Sequence, residues 1–594
     1  MDIFDLLILI GGLCLFMYGM NVMGESLERF AGGKLQSILN KFTTNKFAGF
    51  LTGLGVTAII QSSSATTVMV VGFVNSGIMS LKQGINVIMG ANVGTTVTAW
   101  ILSLSGISGD SFLLQMLKPT SFTPILALIG LILYMFSKSS KKKDIGTILL
   151  GFATLMFGMD TMSTAVSGLR DASWFTSLFG FFASTEYGPL SAILGVLAGA
   201  VLTAIIQSSS ASVGILQALS TTGMITTGAA FPIIMGQNIG TCVTALLSSA
   251  GANKNGKRAA IVHLSFNIIG TVIMLAIFCI VRAIVDIPFF NSGANEMNIA
   301  IMHTIFNVVC TAVLLPASSL LEKLAYKLIK PEAEVEPEPK LDERLLATPA
   351  VALGVCHDAT VTMAQDASGA LYDSLDAFFD YSKEKAQKIR DIEDKTDNYE
   401  DAIGTYLVKL SSRQIGDSAS DEAAKYLKII GDFERISDHA VNLIESKEEM
   451  LDKGIDLSDE AKSEVKVMLD SVREIVSLSL SAFIDANIEH AYMIEPLEQV
   501  IDKLKEQLRT RHIYRLQQGN CTIEAGFIWS DILTNLERVS DHCSNIAACV
   551  IDTAQNRLDL HEFVKEMKEA YPEYKNLYEG YLKKYALPSL KSEG

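Results

Sequence analysis

Two short stretches carry residue types that could do chemistry inside an apolar background: AIIQSSSATTV at 58–68 and AIIQSSSASVG at 204–214. Each sets one amide and three hydroxyls among isoleucines, at Gln61, Ser62, Ser63 and Ser64 and again at Gln207, Ser208, Ser209 and Ser210. These groups both donate and accept hydrogen bonds. In hydrocarbon an unmet polar group is costly, so a polar break survives only where protein buries it or where it lines a wet cavity. At an unwound tip between two half-helices, carbonyls of one arm are free to hold a cation. The amides that open the other arm are free to hold an anion. Hydroxyls serve both tasks. The pattern therefore points to a small oxyanion site with cation sites beside it. Neither motif holds Lys or Arg, so the anion's charge falls to helix ends, hydroxyls and co-bound cations.

A second matched pair follows, IMGANVGTTVTA at 88–99 and IMGQNIGTCVTA at 234–245. Gly94 and Gly240 are expected to interrupt a helix in each copy. Asn92 and Asn238 add amides there, and Thr95 and Thr241 add hydroxyls. The first pair and the second keep one spacing, because each Asn lies 31 residues after its Gln.

That constancy marks a duplication. Gln61 and Gln207 are 146 apart, and Gly53/Gly199, Thr57/Thr203, Met89/Met235 and Thr98/Thr244 share the offset. Related helices, LFMYGMNVM at 15–23 and TLMFGMDTM at 154–162, precede the two copies. Apolar segments of spanning length run at about 3–24, 85–105, 120–137, 146–165, 228–250, 257–286 and 297–321. Stretches 47–77 and 188–223 are broken by the QSSS element and read as hairpins that enter the bilayer and return. Basic loops SKSSKKKD at 137–144 and NKNGKR at 253–258, with Arg29, Lys34, Lys41 and Lys46, mark the cytoplasmic side. Seven spans and two hairpins then satisfy every loop, with the N-terminus outside. Three spans in the first copy start the second from the opposite face, an inverted-topology repeat.

The N-terminus opens on acidic residues with no basic region, so it reads as a first membrane helix and not as a cleaved signal. Composition splits the chain. Residues 1–330 hold 18 Lys+Arg against 12 Asp+Glu, and the remainder 30 against 52. The basic residues fall in short loops, which argues against nucleic-acid binding. The 8 cysteines include no CxxC pair and read as free thiols. Residues 331–349, PEAEVEPEPKLDERLLATP, read as a linker that does not pack. From 350 to 580 the apolar residues follow a helical period among dense charges, which predicts a helical bundle.

The paired QSSS elements, each followed by N-x-G-T, resemble the type II sodium/phosphate cotransporter family, whose bacterial branch often carries a C-terminal PhoU-like domain. The resemblance implies inorganic phosphate as substrate and Na+ as coupling ion. It carries substrate and ion contacts onto the two Gln-Ser-Ser-Ser sets. Thr66, Thr67, Asn92, Thr95, Ser212, Asn238 and Thr241 are secondary candidates. The copies differ after the third serine, ATT against ASV, so their hydroxyl contributions need not be equal.

The C-terminal block has its own duplication. DIEDKTD at 391–397 pairs with DFERISDHAVNL at 432–443, and PLEQVID at 496–502 with NLERVSDHCSNI at 535–546. Each contains Glu-x-x-x-Asp: Glu393/Asp397, Glu434/Asp438, Glu498/Asp502 and Glu537/Asp541. Carboxylates at i and i+4 share a helix face. Two facing motifs would build a four-carboxylate cluster for hard metal ions, with His439 and His542 as additions. Solvated helix charge is the plainer alternative. The ER(I/V)SDH strings resemble PhoU domains, two three-helix repeats in which such motifs bind divalent or trivalent metal clusters. The resemblance suggests that this block reports intracellular phosphate status to the membrane half.

The expected fold class is an all-α membrane protein. It comprises an inverted-repeat transporter with two re-entrant QSSS hairpins over 1–330 and a soluble cytoplasmic PhoU-like bundle. The transporter divides into repeat 1 at 3–137, repeat 2 at 146–286 and an extra helix at 297–329. Its partners would be phosphate, Na+ and the lipid of the inner membrane, with a homo-oligomer left open. No enzyme is expected: His263 and His303, in HLSFN and HTIFN, have no acidic partner in pattern. Those segments, 40 apart, bring Asn267 and Asn307 into question as pathway groups, with helix packing the equal alternative. A membrane phosphate sensor without flux, an exporter and a carrier of another oxyanion are the competing functions.

Overall fold

The computed structural model describes residues 3–31, 45–107, 115–116, 118–167, 169, 172–183, 189–285, 287–330, 341–413, 415–555 and 574–588. Lys34, Lys41 and 331–340 of the expected linker lie outside them. The chain divides into two compact units, Met1–Ala352 and Leu353–Gly594. Among the described residues there is no strand, only an isolated bridge between Thr226 and Gly293.

The first unit contains α1 (Ile3–Ala31), α2 (Lys46–Ile60), α3 (Ser63–Asn75), α4 (Leu81–Ser103), α5 (Pro119–Phe136), α6 (Ser140–Val166) and α7 (Ser173–Ala183). It continues with α8 (Pro189–Ile206), α9 (Ser209–Ser220), α10 (Thr227–Ser248), α11 (Lys254–Ile284), α12 (Glu296–Leu314) and α13 (Ser318–Leu328). Eight of these, α1, α4, α5, α6, α8, α10, α11 and α12, are long and apolar enough to cross a membrane. Seven coincide with the expected spans, and the eighth, α8, is the helix that leads into the second QSSS stretch, long enough to cross where a hairpin arm was expected. Large apolar side chains such as Leu128, Ile132, Met135 and Phe136 stand exposed on α5, a surface suited to lipid.

Each QSSS stretch ends one helix and starts the next. Gln61 closes α2 at φ 60°, and Gln207 stands at φ 58° between α8 and α9. A non-glycine residue in this left-handed region costs about 1–3 kcal/mol, and both copies carry that cost at matched positions. Ser62 then caps α3 by accepting from Ala65 N–H at 3.1 Å, and Ser208 caps α9 by accepting from Ala211 N–H at 3.2 Å. The arms fold back. Gly49 lies against Asn86, Gly53 against Val87, and Gly94 against Leu54 and Thr57, so α2 runs alongside α4 in the same direction. α3 returns, because Val70 and Val74 near its end pack on Gly84 at the start of α4.

α4 and α10 are continuous helices, which corrects the expected interruptions at Gly94 and Gly240. A Cβ on Gly94 would fall 2.7 Å from the Leu54 carbonyl oxygen, and one on Gly240 2.4 Å from that of Ala200. These glycines permit close helix packing rather than a break.

The helices preceding the copies pair antiparallel. Gly19 of α1 meets Leu155 and Gly151 of α6, and Gly158 meets Phe16 and Gly12. Adding 139 to Gly19 gives Gly158, and subtracting 139 from Leu155 and Gly151 gives Phe16 and Gly12. The second contact is the first repeated under exchange of the copies.

Part of the expected linker packs. Glu343–Ala347 forms a 3-10 turn with Leu345 and Leu346 buried. Asp342 is held by Arg344 at 2.8 Å and by the Asn75 amide at 2.5 Å, while Arg344 also donates to the Ser248 carbonyl at 2.8 Å. Two leucines and an internal ion pair outweigh the Pro-Glu composition upstream.

The second unit contains α14 (Pro349–Ala377), α15 (Lys383–Ser411), α16 (Asp417–Asp452), α17 (Asp459–Ile484), α18 (Ile488–Gln517), α19 (Ile523–Gln555) and α20 (Tyr574–Lys584). α16 packs on α15 and α19, and α18 on α17 and α19. Lys388–Asp373 at 2.7 Å ties α15 to α14, and Arg473–Asp376 at 2.5 Å ties α17 to it.

Candidate functional site

The two tips meet at one cavity of about 260 Å³, lined by Ile60–Ala65 and Gln207–Ser210 with Met20, Asn21, Gly24, Glu25 and Glu28 of α1 and Ala347. That is several times the ~30 Å³ a water molecule occupies in the liquid. All eight principal residues from the two motifs line it. Ser63, Ser209 and Ser210 are buried at 6 %, 7 % and 6 % exposure and make no side-chain hydrogen bond to described residues, so their hydroxyls are available to a ligand. The first-turn amides of α3 and α9 stand at the same wall, a pairing that favours an anion.

The copies are not equal here. Gln61 is buried, donates through Nε2 to the Ala58 carbonyl and accepts from Thr98 at 2.9 Å. Gln207 is exposed, with no such bonds to described residues. Thr244, the counterpart of Thr98, instead reaches Ser64 of the other copy at 3.3 Å and so ties α10 to the first tip.

The secondary candidates lie behind this wall. Thr66 accepts from Thr57 at 3.0 Å, and Ser212 from Thr203 at 2.7 Å; both bonds brace a hairpin. Thr67 is fully buried with an unpaired hydroxyl. Asn92 and Asn238 donate to Ile88 and Ile234 in their own helices, and Thr95 and Thr241 to Ala91 and Gln237. None of these seven lines the cavity. Asn267 donates to Asn92 at 3.4 Å and Asn307 to Asn238 at 3.2 Å.

Sequence reasoning missed Glu25 and Glu28. Two carboxylates in the last turns of an apolar helix are a legible signal, obscured because they border the basic loop.

In the second unit, Asp397, Glu400 and Glu434 present oxygens within 4.8 Å of one another, as do Glu498, Asp502 and Asp541. Asp438 lies within hydrogen-bond reach of both Glu393 and Glu434, so all four expected residues of the first cluster converge. Glu400 joins them unforeseen. Burial, then Asp438 and Glu400, raises Glu434 to about 7. Burial, then Glu495 and Asp502, raises Glu498 to about 8. Such crowding suits a hard cation, which would take over the charge that the protons now hold.

Glu537, expected in the second cluster, lies beside Asp502 and Asp541; one of its oxygens pairs with Lys505 at 3.0 Å and the other is buried without a hydrogen bond to a described residue. The offset of 105 that relates Asp397 to Asp502 also relates Glu400 to Lys505. The two histidines use Nδ1 elsewhere: His439 bonds Asn535 at 2.8 Å and His542 bonds Asp432 at 2.9 Å, cross-bracing α16 and α19.

The Na+/Pi-cotransporter family profile matches residues 15–164 and 188–308, and the PhoU domain profile matches 360–446 and 465–550. The chain belongs to the Na+/Pi-cotransporter family, with a C-terminal PhoU domain. It is 24 % identical to "Putative inorganic phosphate export protein YjbB" of Salmonella typhimurium, over 92 % of this chain and 97 % of that one. It is 31 % identical to "Uncharacterized protein YqeW" of Bacillus subtilis, over 44 % of this chain and 78 % of that one. The "Sodium-dependent phosphate transport protein 2A" of rat shares 36 % identity over 100 residues, 16 % of each chain. Both profile boundaries fall in line with the two compact units.

Proposed function

We propose that the chain moves inorganic phosphate across the cytoplasmic membrane, coupled to Na+, by alternating access around the shared cavity. The observation that carries this reading is the meeting of the Gln61–Ser64 and Gln207–Ser210 tips at one pocket of hydroxyls and helix N-termini. A small tetrahedral oxyanion satisfies such donors from several directions. Antiparallel α1 and α6, with contacts that repeat under exchange, support an inverted repeat able to rock about the cavity. In the membrane the hairpins would re-enter from opposite faces, with the acidic unit in the cytoplasm.

The PhoU unit would hold a metal on its carboxylates and regulate flux. Ala347, on the turn that precedes this unit, lines the cavity, and that turn is anchored on α3 and α10 through Asp342 and Arg344. A pull on it would reach the site.

The test is radiolabelled phosphate flux into proteoliposomes under an imposed Na+ gradient. Sodium-driven flux is expected; binding without flux would leave a sensor, and flux indifferent to Na+ would remove the coupling. The export named for the Salmonella relative favours outward movement as a second reading, which phosphate loss from loaded whole cells tests.

A further inference from the structure

The cavity has two walls of opposite character. On one stand the unpaired hydroxyls of Ser63, Ser209 and Ser210 and the first turns of α3 and α9. On the other, α1 presents Glu25 and Glu28, three residues apart and so on one helix face. Glu28 is 9 % exposed and makes no hydrogen bond or ion pair to a described residue. The nearest cation in sequence, Arg29, pairs with Asp144 at 3.3 Å and donates to Ser26 at 2.8 Å, so that its charge, which also reaches Glu28, is shared with Asp144. Lys46, the next described cation, donates to the Pro316 carbonyl at 3.1 Å.

A phosphate on the serine wall would share a cavity of about 260 Å³ with these carboxylates. Like charges there repel, and the repulsion is screened least at the buried Glu28. Serine hydroxyls alone do not explain why a site for an anion should carry acids. A cation between the walls removes the conflict, since it is attracted to both the carboxylates and the phosphate.

We propose that Glu28, with Glu25 beside it, is a cation-binding site on α1, opposite the serine tips, that makes phosphate binding depend on a co-bound small cation. It rests on the reading of the serine wall as the phosphate site. The carboxylates act as a selectivity device: the empty pair repels the anion, and the filled pair recruits it. Sodium is the cation that the transport reading supplies. A proton on Glu28 or a divalent ion would answer the same charge. The charged groups that act on a titrating Glu28 are Glu25 and Arg29 on its own helix; across the cavity stand the uncharged Gln61, Ser62–Ser64, Gln207–Ser210 and Ala347.

The experiment measures phosphate affinity of the purified full-length protein in detergent, with three arms at constant ionic strength. One replaces choline by Na+, one varies pH from 6 to 8 without Na+, and one adds Mg2+ in place of EDTA. The wild type should bind phosphate more tightly in one arm, and that arm names the cation. An opposite charge within 4–6 Å is worth about one to three pK units. Glu28→Gln should therefore raise the half-effective cation concentration, or shift the pH response, by about tenfold or more. It should also tighten phosphate binding in the cation-free buffer, which a merely structural role would not do. Glu28→Asp should restore the dependence, and Glu25→Gln should weaken it by less.

A Glu28→Gln protein that keeps the wild-type response to the active cation overturns the proposal, as does wild-type phosphate binding that no arm changes. Failure of the phosphate reading looks different: no phosphate binds in any arm. Thermal stabilisation of the phosphate-free protein by the cation, present in the wild type and lost in Glu28→Gln, then still supports the α1 site. Its absence from both overturns it.

Discussion

Both units of this chain are duplications, and they have diverged in different ways. In the membrane unit the copies keep the same bonds: Thr57 to Thr66 and Thr203 to Ser212, Ser62 and Ser208 as caps, left-handed Gln61 and Gln207. In the PhoU unit the second copy has an ammonium where the first has a carboxylate, Lys505 for Glu400, and that cation pairs with one oxygen of Glu537 inside the cluster. The reason lies in how each duplication is used. The serine tips share one cavity, so a change in either copy damages the whole site. The carboxylate clusters are separate, so one can change while the other keeps its chemistry.

The sharpest break of this contrast is substitution of one copy at a time. Gln61→Ala and Gln207→Ala are each expected to reduce phosphate flux in proteoliposomes by about a hundredfold or more, the scale of losing one oriented polar group from a charged site. An intact second copy would give no protection. Retention of half the flux by either variant would mean two independent sites and would end the comparison.

The clusters should respond independently. Lys505→Glu restores the carboxylate that the first copy has and frees Glu537. Metal affinity of the second cluster should rise about ten- to a hundredfold, read as bound metal per purified chain. Glu400→Lys should lower that of the first cluster by a similar factor and leave the second as it was.

A smaller effect sharpens the same point through pH. Glu434 and Glu498 have folded values near 7 and 8, above the ordinary 4.5, because burial and neighbouring carboxylates favour the neutral form. A raised carboxyl contributes stability that is full below its unfolded value and is lost as pH rises through the folded one. The metal-free full-length protein should therefore melt lower at pH 8 than at pH 5, by on the order of a few °C. Glu434→Gln and Glu498→Gln should each flatten part of that slope. Added metal should stabilise more at pH 8, where its ligands are ionised. A melting temperature that rises with pH in EDTA would refute this account.

Much of this was legible in the chain before any geometry. Seven of the spans and the register of both copies follow from an apolar pattern and fixed offsets, and the pairing of Gln61 with Gln207 at one site follows from the cost of polar groups in lipid. What was illegible had to do with direction. Gly94 and Asn92 read as a helix break, yet glycine serves close packing as readily as interruption, and only the neighbouring Leu54 carbonyl decides. Glu400 and Lys505 fall outside the Glu-x-x-x-Asp pattern, so their convergence on the clusters waits on how α15 and α18 rotate against α16 and α19. Glu28 belonged to the signal of its basic loop until the cavity gave it a different neighbour.

The membrane copies differ in one detail fine enough to measure. Thr98 holds the Gln61 side chain at 2.9 Å, whereas Thr244 reaches across to Ser64 at 3.3 Å. A buried, short bond that fixes a strained residue is worth more than a longer one from a hydroxyl that also donates to the Thr241 carbonyl, and the usual net value is about 1 kcal/mol. Thr98→Val should thus lower phosphate affinity by about fivefold, because Gln61 is released from its orientation. Thr244→Val, which keeps the same volume, should cost less than twofold at equilibrium. Equal losses in the two variants would mean that Gln61 needs no brace and that the tips act alike. The order Thr98 before Thr244 would assign the fixed wall of the cavity to the first copy and leave the exposed Gln207 as the side chain that closes on the ion.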